Sequence, residues 1–326
     1  MEKFLFLTHD NHDPYFNLAS EEYLLKSKKE YFIYLWINSP AVIVGKNQNT
    51  LQEVNLTYTE QNGIKVVRRL TGGGAVYHDY GNVCYTVIAP YNAEEDNYKK
   101  FTAPVIGYLK TLGVNAEFAG RNDILINGKK FSGNAQTIYG DRILHHGTIL
   151  FKTDMSVLGK ALNPSKIKME SKGIKSVRSR VVNVYDVLPE KITLNDFYNG
   201  LCDFFRRTCG QYVFTDCDEK KINELVKERY STYEWNIGSS PTGKNVYTER
   251  FRFGTLTLSF DTQNGYVENA DIHGDFFTLK DLTPFVKKLN GKRLIKEDFI
   301  KAFSDMGEYI VGADGVAVAE KIFSEN

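Results

Sequence analysis

Asn127-Gly128 constrains this chain more than any other feature, because it separates two strand-like runs by two residues. Asn-Gly is the dipeptide that a type I′ turn selects, since both central residues need positive φ. Asp123-Ile124-Leu125-Ile126 precedes it and KKFSGNAQTI follows, and Tyr139-Gly140-Asp141-Arg142 then turns the chain into ILHHGTILF. Strands joined this tightly run antiparallel, because a parallel pair needs a crossover of a dozen residues or more. Further strands are predicted at 3–7, in YFIYLWI and AVIVG (separated by Asn38-Ser39-Pro40), at 64–69 and at 83–89. Helices are predicted after Asn17 as N-cap, and over 97–112, 193–208 and 216–230. The first 150 residues therefore read as α+β, not as a doubly wound sheet.

A chain of 326 residues exceeds one unit of ordinary size, so two domains are expected. Residues 163–182 carry six Lys or Arg and one Glu with little apolar periodicity, which predicts a long basic loop. Residues 233–249, with Gly238-Ser239-Ser240-Pro241, read as a linker. Beyond it come RFRFGTLTLSFD, an Asn264-Gly265 turn, a strand to His273, and two amphipathic segments at 279–289 and 296–304. The division is 1–245 for a large domain and 246–326 for a small one.

Forty-one Lys and Arg against forty Asp and Glu leave +1, so no bulk field draws the molecule to nucleic acid or acidic membrane. Four cysteines at irregular spacing form no disulfide or zinc pattern and are expected as free thiols in a reducing compartment. The apolar run Phe4–Leu7 is too short for a signal peptide, and nothing approaches the eighteen or more apolar residues of a membrane span. A cytoplasmic monomer that binds neither nucleic acid nor membrane is expected.

Three segments carry chemistry. In Val67-Arg68-Arg69-Leu70-Thr71-Gly72-Gly73-Gly74-Ala75-Val76-Tyr77-His78-Asp79, three glycines remove the side chains that keep a ligand off the backbone. Their N–H groups are free to cradle anionic oxygen, with Arg68 and Arg69 as charge at the edge. The segment is neither a Walker A loop nor a dinucleotide fingerprint. On its own it reads equally as a flexible hairpin with two solvated arginines. Lys129 and Lys130 are adjacent on a strand and point to opposite faces. Taken alone, the pair reads most simply as surface lysines; an inner one needs an anionic partner. His145 and His146 also point apart and are not a chelating pair, and His9, His12, Asp10 and Asp13 read as a solvated loop.

Taken in order, RRLTGGGAVYHD, GRNDILINGKKFSGNA, HHGTIL and KGIKSVRSRVVN resemble the lipoate–protein ligases of the biotin/lipoate ligase superfamily. Trp36 in YLWINSP and the following VGKNQN fit as well. The resemblance spans about residues 12–185, and GDFF (274–277) is similar to the accessory domain of bacterial members. One departure is Gln136-Thr137, where some members carry an arginine.

The resemblance implies a large α+β domain of mixed and antiparallel sheets flanked by helices, like the class II synthetases and biotin/lipoate ligases, plus a small C-terminal α+β domain. It implies that lipoate and Mg2+-ATP give lipoyl-adenylate and pyrophosphate. A lysine of an acceptor lipoyl domain then takes the acyl group, on a 2-oxoacid dehydrogenase acyltransferase subunit or a glycine-cleavage carrier. By the same resemblance Lys130 is the catalytic ammonium, touching both the lipoate carboxyl and the phosphate. ATP and adenylate contacts fall to Arg69, Gly74, Ala75, Val76, Tyr77, Asn82 and Asn122, with Lys175, Val177, Arg178 and Val181 from the adenylate-binding loop. The lipoyl tunnel falls to Glu21, Trp36, Gly73, His78, Ala135 and His146, and the magnesium position to Asp123. Two alternatives stand beside it. One is an octanoyl or lipoyl transferase between carrier proteins, which needs a cysteine nucleophile, yet none lies between Cys84 and Cys202. The other is a non-catalytic protein that binds lipoate or lipoyl domains.

Overall fold

The computed structural model describes residues 4–162, 180–238 and 243–323. The strands β1 (Leu5–Thr8), β2 (Phe32–Ile37), β6 (Asn82–Pro90), β7 (Ala116–Ala119), β8 (Asp123–Ile126), β9 (Lys129–Tyr139), β10 (Arg142–Leu150) and β11 (Gly210–Gln211) form one sheet. Its order is β11-β1-β2-β6-β10-β9-β8-β7. Pairing is antiparallel from β2 through β7 and parallel only at the β11-β1-β2 edge. Asn127 (φ 51°) and Gly128 (φ 73°) both adopt the positive φ that the two-residue turn requires.

Strand β6 runs through the middle with eight of nine residues buried, and its period of two divides the large domain's core. Val83, Tyr85 and Val87 pack with Phe101, Val105, Leu109 and Phe197 on one face. Cys84 and Ile88 pack with Trp36, Leu24 and Leu144 on the other, under the helix Pro14–Ser27. That helix begins at Pro14, not after Asn17. Asp13 accepts from the Tyr15 N–H at 2.9 Å and Pro14 sets φ for the first turn, a stronger start than Asn17 offers. Asn17 is wholly buried, and its amide donates to Ile37 O.

A second, three-stranded sheet has the order β4-β3-β5, from β3 (Ala41–Val44), β4 (Lys65–Arg68) and β5 (Val76–His78). β3 and β4 are parallel and β3 and β5 antiparallel, so the glycine-rich loop crosses the end of β3.

The segment expected as a linker is largely structured. Glu234–Gly238 makes a wide helical turn and Asn245–Phe251 is strand β12. Asn236 is 4% exposed; its amide donates to Tyr230 O and Thr232 O while its oxygen accepts from the Arg68 N–H. A polar composition misled because this amide satisfies buried main chain. The helix at 216 ends at Leu225, and Val226–Tyr230 continues as a wider turn. In the small domain, β12, β13 (Gly254–Gln263) and β14 (Tyr266–Gly274) form an antiparallel sheet over Phe276, Phe285, Phe299 and Phe303. A helix at Gly315–Ile322, absent from the expectation, closes that core with Val318 and Ala319. No helix among the described residues is long and apolar enough to cross a membrane.

Candidate active site

The glycine-rich loop is held from inside by Arg69. Its guanidinium donates to Ile43 O, Gly72 O and Gly74 O at 3.1, 2.7 and 2.9 Å and to the Thr71 hydroxyl at 3.0 Å. The N–H and C=O of a trans peptide point opposite ways, so turning Gly74 O inward aims the Ala75 N–H outward. Gly73 has φ 92°, and a Cβ on Gly45 beneath it would stand 2.0 Å from Gly73 O, so the loop lies against bare backbone. Burial lowers the Arg69 pKa to about 10, which leaves it cationic at neutral pH. Arg68 does not supply charge at the edge. It is 2% exposed and donates to the carbonyls of Gly45, Lys46, Gln48 and Trp235. Its position on the buried strand β4 turns it into the structure instead of toward a ligand.

Lys130 is the inner lysine and Lys129 the exposed one. A β-bulge between β8 and β9 re-aims the strand here. Lys130 Nζ lies 2.7 Å from Asp123 Oδ1, with both side chains partly open. Gly133 makes room for it, since a Cβ there would come within 2.8 Å of Nζ. Two cavities, of about 310 and 550 Å³, meet at this lysine; Ala75, Val76, Gly133 and Thr148 are the other residues they share.

The first cavity runs inward from Lys130, Asn122 and Gly74 to an end walled by Leu18, Trp36, Ile43, His78 and Cys84, each no more than 3% exposed. Gly73, Ala135 and His146 line it along the way. The second is bordered by Tyr77, Asp123, Leu125, Met155, Leu158 and Val181. Val181 bridges to Lys130, and the Val182 N–H donates to Lys130 O at 2.9 Å.

Two expected residues lie elsewhere. Glu21 does not line the cavity. Its carboxylate accepts from the Thr86 hydroxyl and from His146 Nδ1–H at 3.0 Å. Trp36 Nε1 donates to that same Thr86 at 3.0 Å, and Thr71 connects His146 Nε2 to Arg69. Glu21 thus sits behind the wall, bonded to Thr86 and to His146, which lines the cavity. Asn82 is wholly buried below the loop, donating to Cys84 Sγ at 3.2 Å, and reaches neither cavity. Lys175, Val177 and Arg178 lie outside the described residues. His145, on the far face of β10, packs against Tyr85, Tyr98 and Phe101, and burial lowers its pKa to about 3. Among the described residues no three carboxylates, histidines or cysteines gather as a metal cluster.

Sequence reasoning missed the small domain's share of the wall. Arg250, Arg252, Asp275 and Phe277 line the first cavity beside Arg121 of the large domain. Phe276 O accepts from the Gly73 N–H, Gly274 N–H donates to Asn47 O, and the Arg121 guanidinium lies 4.7 Å from the Phe277 ring centre. The GDFF turn therefore seats directly on the glycine-rich loop. The alternation Arg250-Phe251-Arg252-Phe253 was the available signal for two arginines on one face.

Matches to known proteins extend over nearly the whole chain. The lipoyl protein ligase A/B catalytic domain family matches residues 13–206, and the bacterial lipoate protein ligase C-terminus matches 240–320. The lipoate-protein ligase LplJ of Bacillus subtilis (strain 168) is 42% identical over 298 residues, covering 89% of this chain and 90% of its own. P. falciparum LipL1, solved in complex with lipoate, superposes with a TM-score of 0.80 at 27% identity, over 99% of this chain and 98% of that one. A lipoate-protein ligase A solved with ATP bound superposes with a TM-score of 0.62 at 28% identity, over 73% and 99%. With a glycine-rich loop, an inward lysine and two confluent cavities all in the matched region, the chain belongs to the lipoate–protein ligase family.

Proposed function

We propose that this chain activates lipoate with ATP and then transfers the lipoyl group to a lysine of an acceptor lipoyl domain. The observation that carries the reading is Lys130 at the junction of an inward cavity and a second, nucleotide-sized one. In the first step a lipoate carboxylate oxygen attacks the α-phosphorus of ATP, an O–P bond forms, and the bond to pyrophosphate breaks. Two anions about 4 Å apart repel by about 4 kcal/mol at an effective dielectric near 20. The Lys130 ammonium between them offsets this, and the Arg69-backed loop opposes the charge that develops on the phosphate. In the second step the acceptor's neutral ε-amine attacks the acyl carbon, AMP leaves and the amine proton is lost; alignment supplies much of the rate.

Asp123 fits a magnesium position, as one partly open carboxylate beside the phosphate path, because magnesium takes one or two carboxylates and completes its shell from phosphate and water. When bound it neutralises phosphate charge. The tail of lipoate occupies the end near Trp36. Residues 1–245 serve as the catalytic domain and 246–326 as the accessory one. We take the chain to act as a cytoplasmic monomer on lipoyl domains of 2-oxoacid dehydrogenase acyltransferases or the glycine-cleavage carrier. Carrier-to-carrier transfer through Cys84 is disfavoured, since that thiol sits at the cavity's closed end and burial pushes its pKa well up.

The test is lipoate-dependent exchange of labelled pyrophosphate into ATP. Exchange by the wild type that falls at least about 10²-fold in Lys130→Ala is expected. Exchange undiminished in Lys130→Ala, or no exchange by a wild type that moves acyl groups between carriers, would overturn the reading.

A further inference from the structure

Arg121 of the large domain and Arg250 and Arg252 of the small one line the first cavity. All three residues are exposed, whereas the inner wall at Leu18, Trp36 and Ile43 is buried, so the arginines stand at the mouth. One carboxylate lines the mouth with them, that of Asp275. None of the three borders the second cavity, which Lys130 shares with the first.

The three guanidinium groups are not equivalent. Arg250 is spent on the protein, donating to the Thr255 hydroxyl at 2.9 Å and pairing with Asp275 at 3.1 Å. Arg121 gives one N–H to Phe253 O at 3.2 Å and lies over the Phe277 ring. Among the described residues no carboxylate pairs with Arg121 or with Arg252. The turn that presents Arg121 is fixed from behind. Asn134 N–H donates to Asn122 O at 2.9 Å and Asn122 Nδ2 donates to Asn134 O at 2.7 Å, while the Tyr85 hydroxyl holds Asn134 Oδ1. The mouth therefore carries more positive charge than its own carboxylate balances.

In a displacement at phosphorus the entering and leaving oxygens lie roughly in line, on opposite sides of the phosphorus. On the ligase reading above, lipoate enters from the inner end and the nucleoside fills the second cavity. The leaving oxygen then points outward past Lys130, toward the mouth. We infer that Arg121 and Arg252 bind the pyrophosphate leaving group, with Arg250 and Asp275 as positioning residues. A guanidinium stays charged at working pH and matches phosphate oxygens two at a time. It opposes the charge that builds on the leaving group as the bond breaks. The assignment rests on the ligase reading and adds the groups that receive its first product.

The test runs the first step backwards on the intact chain. Protein loaded with lipoyl-adenylate is given Mg2+ and pyrophosphate. A pyrophosphate oxygen attacks the α-phosphorus, the bond from phosphorus to the acyl oxygen breaks, and ATP and lipoate are released. The same loaded protein given an acceptor lipoyl domain reports transfer, in which pyrophosphate has no part. Arg252→Ala is expected to raise KM for pyrophosphate about tenfold, and Arg121→Ala likewise, while transfer stays within about twofold of wild type. Arg252→Lys recovers part of the loss, because a point charge replaces the planar pair of donors. Lys129→Ala, which removes an exposed cation that lines neither cavity, leaves KM for pyrophosphate unchanged. An unchanged KM in folded Arg252→Ala would overturn the proposal. So would an equal rise in Lys129→Ala, which would reduce the effect to diffuse charge. Slowed transfer with normal ATP formation would also overturn it, and would assign the arginines to an acidic face of the acceptor. A wild type that makes no ATP from lipoyl-adenylate would instead remove the ligase reading itself.

Discussion

Gly133→Ala displaces the Lys130 ammonium while leaving the fold alone. A Cβ at Gly133 would lie 2.8 Å from Lys130 Nζ and 2.9 Å from its Cε, with no other heavy atom within 4 Å. The backbone of Gly133 lies outside the left-handed region, so alanine adopts it without strain, and the β9–β10 ladder is unaffected. Alanine even lowers the entropy of the unfolded chain, so stability should stay within about 0.5 kcal/mol of wild type. The lysine does not escape so lightly. Carbon contact requires about 3.5–4 Å, so the ammonium must retreat by about 1 Å, away from its 2.7 Å pairing with Asp123. A displacement of that size costs on the order of 10²-fold when the group must bridge two reactants. Lipoate-dependent pyrophosphate exchange should therefore drop by about 10² while Tm changes little. Gly45→Ala is the contrast: its Cβ would meet the main-chain oxygen of Gly73 at 2.0 Å, so both stability and exchange should fall. Exchange in folded Gly133→Ala within about threefold of wild type would refute the claim that Nζ must sit at the confluence.

Arg252 is exposed, lines the cavity, and has no hydrogen-bond or ion-pair partner among the described residues. Arg252→Ala should lower exchange about tenfold at unchanged Tm, yet leave transfer from preformed lipoyl-adenylate intact. Glu21→Gln places an amide where two donors converge, so Tm should fall by several degrees and KM for lipoate should rise; an unchanged KM would show that the network does not reach the tunnel. His78 and His145 are held neutral with pKa values near 3, against about 6.5 unfolded, so protons favour the unfolded chain. The stability they contribute is fully present above pH 6.5 and is lost on acidification toward pH 3, by about 1.4 kcal/mol per unit for each ring. Urea melts at pH 7.5 and 5 should show a shallower loss in His145→Gln.

The antiparallel half of the sheet was legible because its turns are local. Asn127-Gly128 and Gly140 enforce positive φ, and everything from β8 to β10 follows from them. The parallel edge was not, because Leu5 pairing with Phe32 and Gly210 depends on contacts far apart in sequence. The linker at 233–249 misled for a related reason. Asn236 reads as solvated until its amide is seen closing the Arg68 main chain, 168 residues away. Of the expected site residues, Lys130, Gly73 and Gly74 line the cavities, whereas Glu21 and Asn82 lie behind the wall. Motif position tells which residues cluster, not which of them face the cavity.

Arg68 and Arg69 show how charge enters the site from buried side chains, Arg68 from behind it and Arg69 in its wall. Both are buried, and burial lowers each pKa to about 10, so at pH 7 both remain cations. Among the described residues their hydrogen-bond partners are carbonyls and hydroxyls, with no carboxylate among them. Dipoles can solvate a buried ion, but they do not cancel its net charge. The field of Arg69 therefore extends through Gly72–Gly74 to the outer side of the loop, where the Ala75 N–H already points. The Glu21 carboxylate, which reaches Arg69 only through His146 and Thr71, tempers that field from the inner side without contacting the guanidinium. Spending the donors on the loop's own carbonyls instead fixes the loop's shape and leaves its positive charge available to an approaching phosphate, already oriented before the substrate arrives.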